Sequence, residues 1–172
     1  MRYLSLTKRH LGRVFRDIVR NRLASSVLVP SPVRWMVLRV LGLNVRKSYI
    51  APGLFVGGAG LRVGRGVILN YECFIDATGL VDLAHNVAIG PRSMILTVTH
   101  DVGPSHKRRG ADQLVQDVTI GAGSWLGGGV TVLPGSVIGP GCVIAAGSVV
   151  RGNLQGNCVY GGVPARFIRE IS

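Results

Sequence analysis

From Ile120 onward, apolar and polar positions recur every six residues: IGAGSW, LGGGVT, VLPGSV, IGPGCV, IAAGSV, VRGNLQ. The leading position of each unit, at 120, 126, 132, 138, 144 and 150, is Ile, Leu or Val. Four residues into the first five units sit Ser124, Val130, Ser136, Cys142 and Ser148, all small. Upstream, Val63, Leu69 and Ile75 keep the period, with Val67 and Cys73 in the small position. After an insertion near Gly79 it resumes at Leu83, Ile89 and Ile95, with Val87 and Ser93. An amphipathic helix repeats about every 3.6 residues and does not tolerate this much Gly and Pro. Short strands joined by tight corners do. The pattern predicts an all-β solenoid in which each unit is one flat side. Its aliphatic residue points inward and stacks on its equivalents in neighbouring coils.

Residues 1–44 follow a different rhythm and read as a basic, amphipathic helical segment, leaving 45–172 for the solenoid. In a first helix, Leu11, Val14, Phe15 and Ile18 form a stripe, with Arg13, Arg16, Arg20 and Arg22 on other faces. A second helix has Ser31 as N-cap, Pro32 in the first position and Gly42 as terminator. Its stripe is Val33, Met36, Val37, Val40 and Leu41, with Trp35 and Leu38 off it.

Charge divides at the same place. Residues 1–50 hold eleven Lys and Arg against one acid, Asp17; residues 51–172 hold nine against seven. A uniformly basic body would suggest nucleic acid, but a basic head on a near-neutral body does not. Two readings fit the head. One is a basic pair of helices lying on anionic lipid. The other is a helical cap or subunit contact with its arginines in water, which charge runs ordinarily mark. The stretch VLVPSPVRWMVLRVLGL is too short and too charged to span a bilayer, and no secretory signal is expected in the first 22 residues.

Composition agrees with repeated tight turns: 25 glycines against only 6% aromatics. The cysteines, Cys73, Cys142 and Cys158, are odd in number and form no C-x-x-C, which argues against a disulfide framework or zinc knuckle. They read as small buried hydrophobes in a reducing cytoplasm, with peripheral contact at the inner membrane face open to the basic head.

The stretch ILTVTHDVGPSHKRRGADQLVQDVTIG, 95–121, interrupts the repeat with an excursion at about 99–117. It carries two histidines, His100 and His106, His100 where the chain leaves the repeat.

Three pieces, NYECFID (70–76), TVTHDV (97–102) and the tail VTIGAGSW…GGVPARFIREI (118–171), resemble the hexapeptide-repeat acyltransferases. Within them they resemble the galactoside and maltose O-acetyltransferases and related polysaccharide and nodulation-factor acetyltransferases. The resemblance implies a left-handed parallel β-helix, although the general rule for parallel crossovers favours the right hand. It also implies a homotrimer with sites between subunits, acetyl-CoA as acyl donor, no metal, and a sugar or glycoconjugate acceptor.

By the same resemblance His100 is the base, with Asn70, Glu72 and Asp76 toward the acceptor. The family's second Asn is Glu72 here, which accepts but does not donate when ionised. Trp125, Gly128, Ala146, Arg151, Arg166 and Arg169 fall toward CoA, the arginines suited to its phosphates. Gly128 stands where a serine is common, and Arg151-Gly152 replace a Thr-Lys pair. His85 reads as a corner residue and His106 as part of the loop wall. Two other classes fit a solenoid. A γ-type carbonic anhydrase needs three histidines on a metal; His85, His100 and His106 suffice in number but lack that family's spacing. The other is a non-catalytic scaffold.

Overall fold

Ile120 lies between Leu83 and Ile138 in a parallel ladder that continues to Val63 and Val45 on one side and Leu154 on the other. A second ladder joins Ile50, Leu69, Ile89, Leu126, Ile144 and Tyr160, and a third joins Val56, Ile75, Ile95, Val132 and Val150. The computed structural model describes residue 12 and residues 14–171, and in it these ladders are three parallel sheets wrapped into a solenoid of about six turns. Every predicted leading position points into the core, and all are buried. The ladders also take in Val45, Ile50 and Val56, whose uneven spacing hides them from a six-residue search.

The small positions sit inside the corners and hold them shut. Ser124 Oγ donates to Gly139 O at 2.8 Å, Ser93 Oγ to Gly127 O at 3.1 Å and Ser148 Oγ to Ala145 O at 2.7 Å. Cys73, Cys142 and Cys158 are free and buried. The last strand, Arg166–Glu170, turns back antiparallel on Cys158–Gly161 and finishes the second sheet.

A helical cap covers the first coil. A π-helical segment, Val19–Ala24, leads through a turn to helix α1, Ser31–Val40. Gly42 ends α1 as expected: its φ is +87°, and Leu43 N donates to Leu38 O at 3.1 Å. Three expectations change. Ser31 is not an N-cap; Pro30 precedes the helix, and Ser31 Oγ instead accepts from Arg34 at 3.3 Å. The predicted stripe only partly packs: Val37 and Leu41 lie half-buried against the core, but Val33, Met36 and Val40 are exposed, while Leu38 and Arg34 are the buried residues of α1.

The third change concerns arginines. Arg20 is buried, donating to Leu41 O at 2.7 Å and Gly58 O at 3.2 Å. Arg34 is fully buried and gathers the carbonyls of Ala24 (2.9 Å), Ser26 (2.7 Å), Val29 and Ile50. The cap's turn needs donors for those inward carbonyls, and a guanidinium fork supplies several at once. Leu11 and Arg13 of the expected first helix lie outside the described residues.

Candidate active site

The chain leaves the third sheet after Met94–Ile95 as an antiparallel ribbon, Val98–Val102 against Arg109–Val115, and rejoins the first sheet at Val118–Ile120. Thr97, fully buried, anchors the exit. Its Oγ1 donates to Asp76 O at 2.9 Å and accepts from Gly79 N at 3.0 Å, while its carbonyl accepts from Gln116 N at 2.8 Å. Asp117 accepts from Leu80 N at 2.8 Å on the return side. The two-residue irregularity near Gly79 and the excursion are thus one knot.

His100 stands on the outgoing strand, three residues beyond that knot, half-buried and opposite Gln113. Its ring has two partners. Nδ1 lies 3.2 Å from Asp112 O and Nε2 lies 2.7 Å from the Arg109 guanidinium. A carbonyl only accepts and a guanidinium only donates. Together they select the Nδ1–H tautomer and leave the Nε2 lone pair as the basic site. Arg109 was not singled out by residue type; its meeting with His100 depends on how the ribbon folds back. His106 lies farther along, in the exposed tip.

The three residues expected toward the acceptor lie on a turn and a strand at the corner between the second and third sheets. Asn70 Oδ1 accepts from Tyr71 N at 2.9 Å. Glu72 adopts φ +58° and its carboxylate meets Arg92 Nε at 2.8 Å, with Arg92 at φ +57° one coil on. Both side chains are largely exposed, so the pair contributes little to stability. Asp76 lies on strand Phe74–Ala77, its Oδ1 accepting from Thr78 Oγ1 at 2.7 Å and Thr78 N at 3.2 Å. Thr97, which donates to the Asp76 carbonyl, lies three residues before His100 in the chain. Among the described residues no hydrogen bond joins His100 to Asn70, Glu72 or Asp76 within one chain.

The second group lies on the coils beyond. Trp125 faces outward from the second sheet, 58% exposed. It pairs with Val143, Val143 with Val159, and Val159 with Arg169, so Trp125 and Arg169 stand three strand spacings, about 14 Å, apart along one outward row. Arg166 pairs with Gly161 on the same terminal strand. Gly128 and Ala146 sit on successive coils at one corner, where Gly147 N donates to Gly128 O at 2.9 Å. Next to them a Cβ on Gly127 would lie 2.6 Å from Ala146 N, and one on Gly90 2.5 Å from Gly127 C. Successive coils therefore meet backbone to backbone at this corner, with no room for a side chain between them. Arg151 stands apart, exposed after Val149–Val150 on the third sheet.

Residues 117–152 match the family model described as bacterial transferase hexapeptide, six repeats. The chain is 37% identical over 151 residues to a galactoside O-acetyltransferase of Lactococcus lactis subsp. lactis, covering 86% of this chain and 72% of that protein. The chain belongs to the hexapeptide-repeat acetyltransferases. It is also 36% identical over 113 residues to nodulation protein L of Rhizobium leguminosarum bv. viciae, spanning 64% of this chain but only 59% of that relative.

Among solved structures, a maltose O-acetyltransferase from Clostridium difficile 630 superposes with a TM-score of 0.83 at 29% identity, covering 93% of this chain and 86% of that one. A hexapeptide-repeat acetyltransferase from Vibrio cholerae O1 biovar eltor, complexed with acetyl-CoA, superposes with a TM-score of 0.81 at 25% identity, covering 93% and 87%. The solenoid shares the left-handed β-helix of these acetyltransferases, the hand opposite to that of ordinary parallel crossovers. A carbonic-anhydrase reading is not favoured: among the described residues no three His, Cys, Asp or Glu side chains converge to hold a metal, and His85 sits at a corner away from the ribbon.

Proposed function

We propose that the chain transfers an acetyl group from acetyl-CoA to a hydroxyl of a sugar or glycoconjugate, with His100 as general base. The observation that carries this is the ring's pair of partners. Asp112 O holds Nδ1–H, so Nε2 is the nitrogen that takes the hydroxyl proton as oxygen attacks the thioester carbon. The proton then passes from Nε2 to the departing thiolate, and the ring returns to its starting tautomer. The Arg109 guanidinium donates to that same nitrogen and must swing aside for the acceptor.

Acceptor contacts fall to Asn70, Glu72 and Asp76. The corner at Gly127, Gly128 and Ala146 suits the pantetheine arm, Trp125 its flank, and Arg151, Arg166 and Arg169 the phosphates. Because His100 makes no bond to the acceptor residues of its own chain, a neighbouring subunit of a homotrimer is the natural supplier of the other half.

The test is acetyl-CoA turnover against a panel of free and lipid-linked sugars, with products weighed by mass spectrometry. Acetylated sugar is expected with the wild-type protein and not with His100→Ala. Undiminished transfer by His100→Ala overturns the assignment of the base; absence of any acetylated acceptor overturns the proposed reaction.

A further inference from the structure

The cap that closes the first coil presents an apolar face, at whose edge Arg22 and Val27 share a cavity with Tyr71 and Glu72. With Leu38 and Arg34 turned inward, the outer side of α1 shows Pro32, Val33, Met36 and Val40, interrupted by one charge, Arg39. The turn before it holds Val27 and Leu28 out into solvent, 79% and 87% exposed. Water strongly disfavours two aliphatic side chains at a turn tip, and nothing in the turn's packing requires them there.

The backbone on either side of this turn's tip is paired from within. Ser26 N donates to Leu23 O at 3.2 Å, Leu28 N to Ser26 Oγ at 3.3 Å and Val29 N to Ser26 O at 3.3 Å. The carbonyls of Ala24, Ser26 and Val29 are taken by Arg34 from below. No hydrogen bond among the described residues takes the Val27 amide or the Val27 and Leu28 carbonyls, so the tip suits the hydrated headgroup boundary, where water completes its pairing, and not the hydrocarbon interior.

Charge chooses the phase. Arg22, Arg39, Arg46 and Lys47 are exposed around the cap. The segment's single acid, Asp17, is engaged by Arg16 at 3.1 Å. A second copy laid on this surface would set like charges against each other, whereas an anionic lipid headgroup layer neutralises them. No described helix is long and apolar enough to cross a membrane. We infer that the cap is a docking surface for an anionic lipid bilayer, with Val27 and Leu28 inserted at the headgroup–acyl boundary and the arginines on the headgroups.

The full chain is mixed with phosphatidylcholine vesicles with and without phosphatidylglycerol and floated on a density gradient. The wild type is expected to float with the anionic vesicles, to remain in solution with the neutral ones, and to weaken as salt is raised. Val27→Asp with Leu28→Asp is expected to lower the vesicle affinity by about tenfold or more while leaving circular dichroism and melting unchanged, since both side chains are exposed. Leu28→Trp is expected to shift its fluorescence to the blue on adding anionic vesicles. The inference is overturned if the wild type stays in solution with anionic vesicles, or if the double Asp variant floats equally well. It is also overturned if that variant instead breaks an oligomer seen by light scattering, which would make the surface a subunit contact.

Discussion

Arg109 donates to Nε2 of His100 across 2.7 Å, so the nitrogen left free by Asp112 O is capped by a cation in the resting chain. In the proposed reaction this contact would compete with the acceptor hydroxyl for one lone pair. His100→Ala is expected to lower kcat/KM by about a hundredfold or more, the ordinary worth of a general base. Arg109→Met removes the competitor and is expected to raise kcat/KM for a neutral acceptor by up to about tenfold. Steady-state kinetics on both variants measure this. A fall with Arg109→Met would instead place the guanidinium on the reacting groups.

Glu72 combines a left-handed backbone with an exposed ion pair to Arg92. Asparagine tolerates that backbone better, and the pair itself is worth little. Glu72→Asn is therefore expected to change stability by less than about 0.5 kcal/mol in urea titration. It is expected to move the acceptor KM several-fold, because an amide donates where the carboxylate cannot. An equal movement of the acetyl-CoA KM would detach Glu72 from the acceptor side.

Two adjacent glycines should answer differently. A Cβ at Gly127 would press on Ala146 N at 2.6 Å, whereas one at Gly128 would meet Pro91 at an ordinary 3.5 Å. Gly127→Ala forces coils apart and is expected to cost about 2 kcal/mol and to raise the acetyl-CoA KM. Gly128→Ser fits, and its melting temperature should match the wild type. Thermal denaturation of the two side by side checks the contrast.

Burial pushes the Cys73 thiol up to about 11 from an ordinary value near 9, and burial also raises Cys142. The folded state keeps the Cys73 proton where the unfolded chain has lost it. Its contribution is complete below about pH 9 and is lost as pH rises through about 11, roughly 2–3 kcal/mol in all. Urea unfolding across this window should show falling stability in the wild type and a flatter profile in Cys73→Ala. The thiols should also resist a disulfide reagent until the chain unfolds.

Arg34 sits with its guanidinium wholly among carbonyls. Arg34→Met would remove the guanidinium from Ala24 O, Val29 O and Ile50 O and leave Ser26 O to Val29 N alone, an expected loss of about 3–5 kcal/mol. Arg34→Lys should rescue little, because a single ammonium cannot reach both sides of the turn as a planar fork does. Hydrogen exchange at Ser26–Val29 should rise first in both variants.

The inward ladder was readable from Ile120, Leu126 and Val132 onward because a solenoid repeats one environment, and one residue class answers it. Val45 and Ile50 escaped because the first coil is uneven in length. The cap was misread for a physical reason. Counting apolar residues makes Val33, Met36 and Val40 the packing face, and treats Arg34 and Arg20 as solvent-facing. Buried carbonyls outweighed that pattern, since an unpaired one costs more than an exposed methyl group gains. In the site, His100 stood out by its place beside the repeat. Arg109 did not, because a contact set by ribbon pairing leaves no trace in local spacing.

The way Arg34 holds the cap has one more implication. It grips main-chain oxygens, which every amino acid possesses, and reads no side chain between Ala24 and Val29. Any sequence compatible with that path would be held equally well, so the fold leaves residues 27 and 28 free to be serine, lysine or glycine. Valine and leucine at those places are thus a choice about what the protein meets, made on a mount that is indifferent to what it displays.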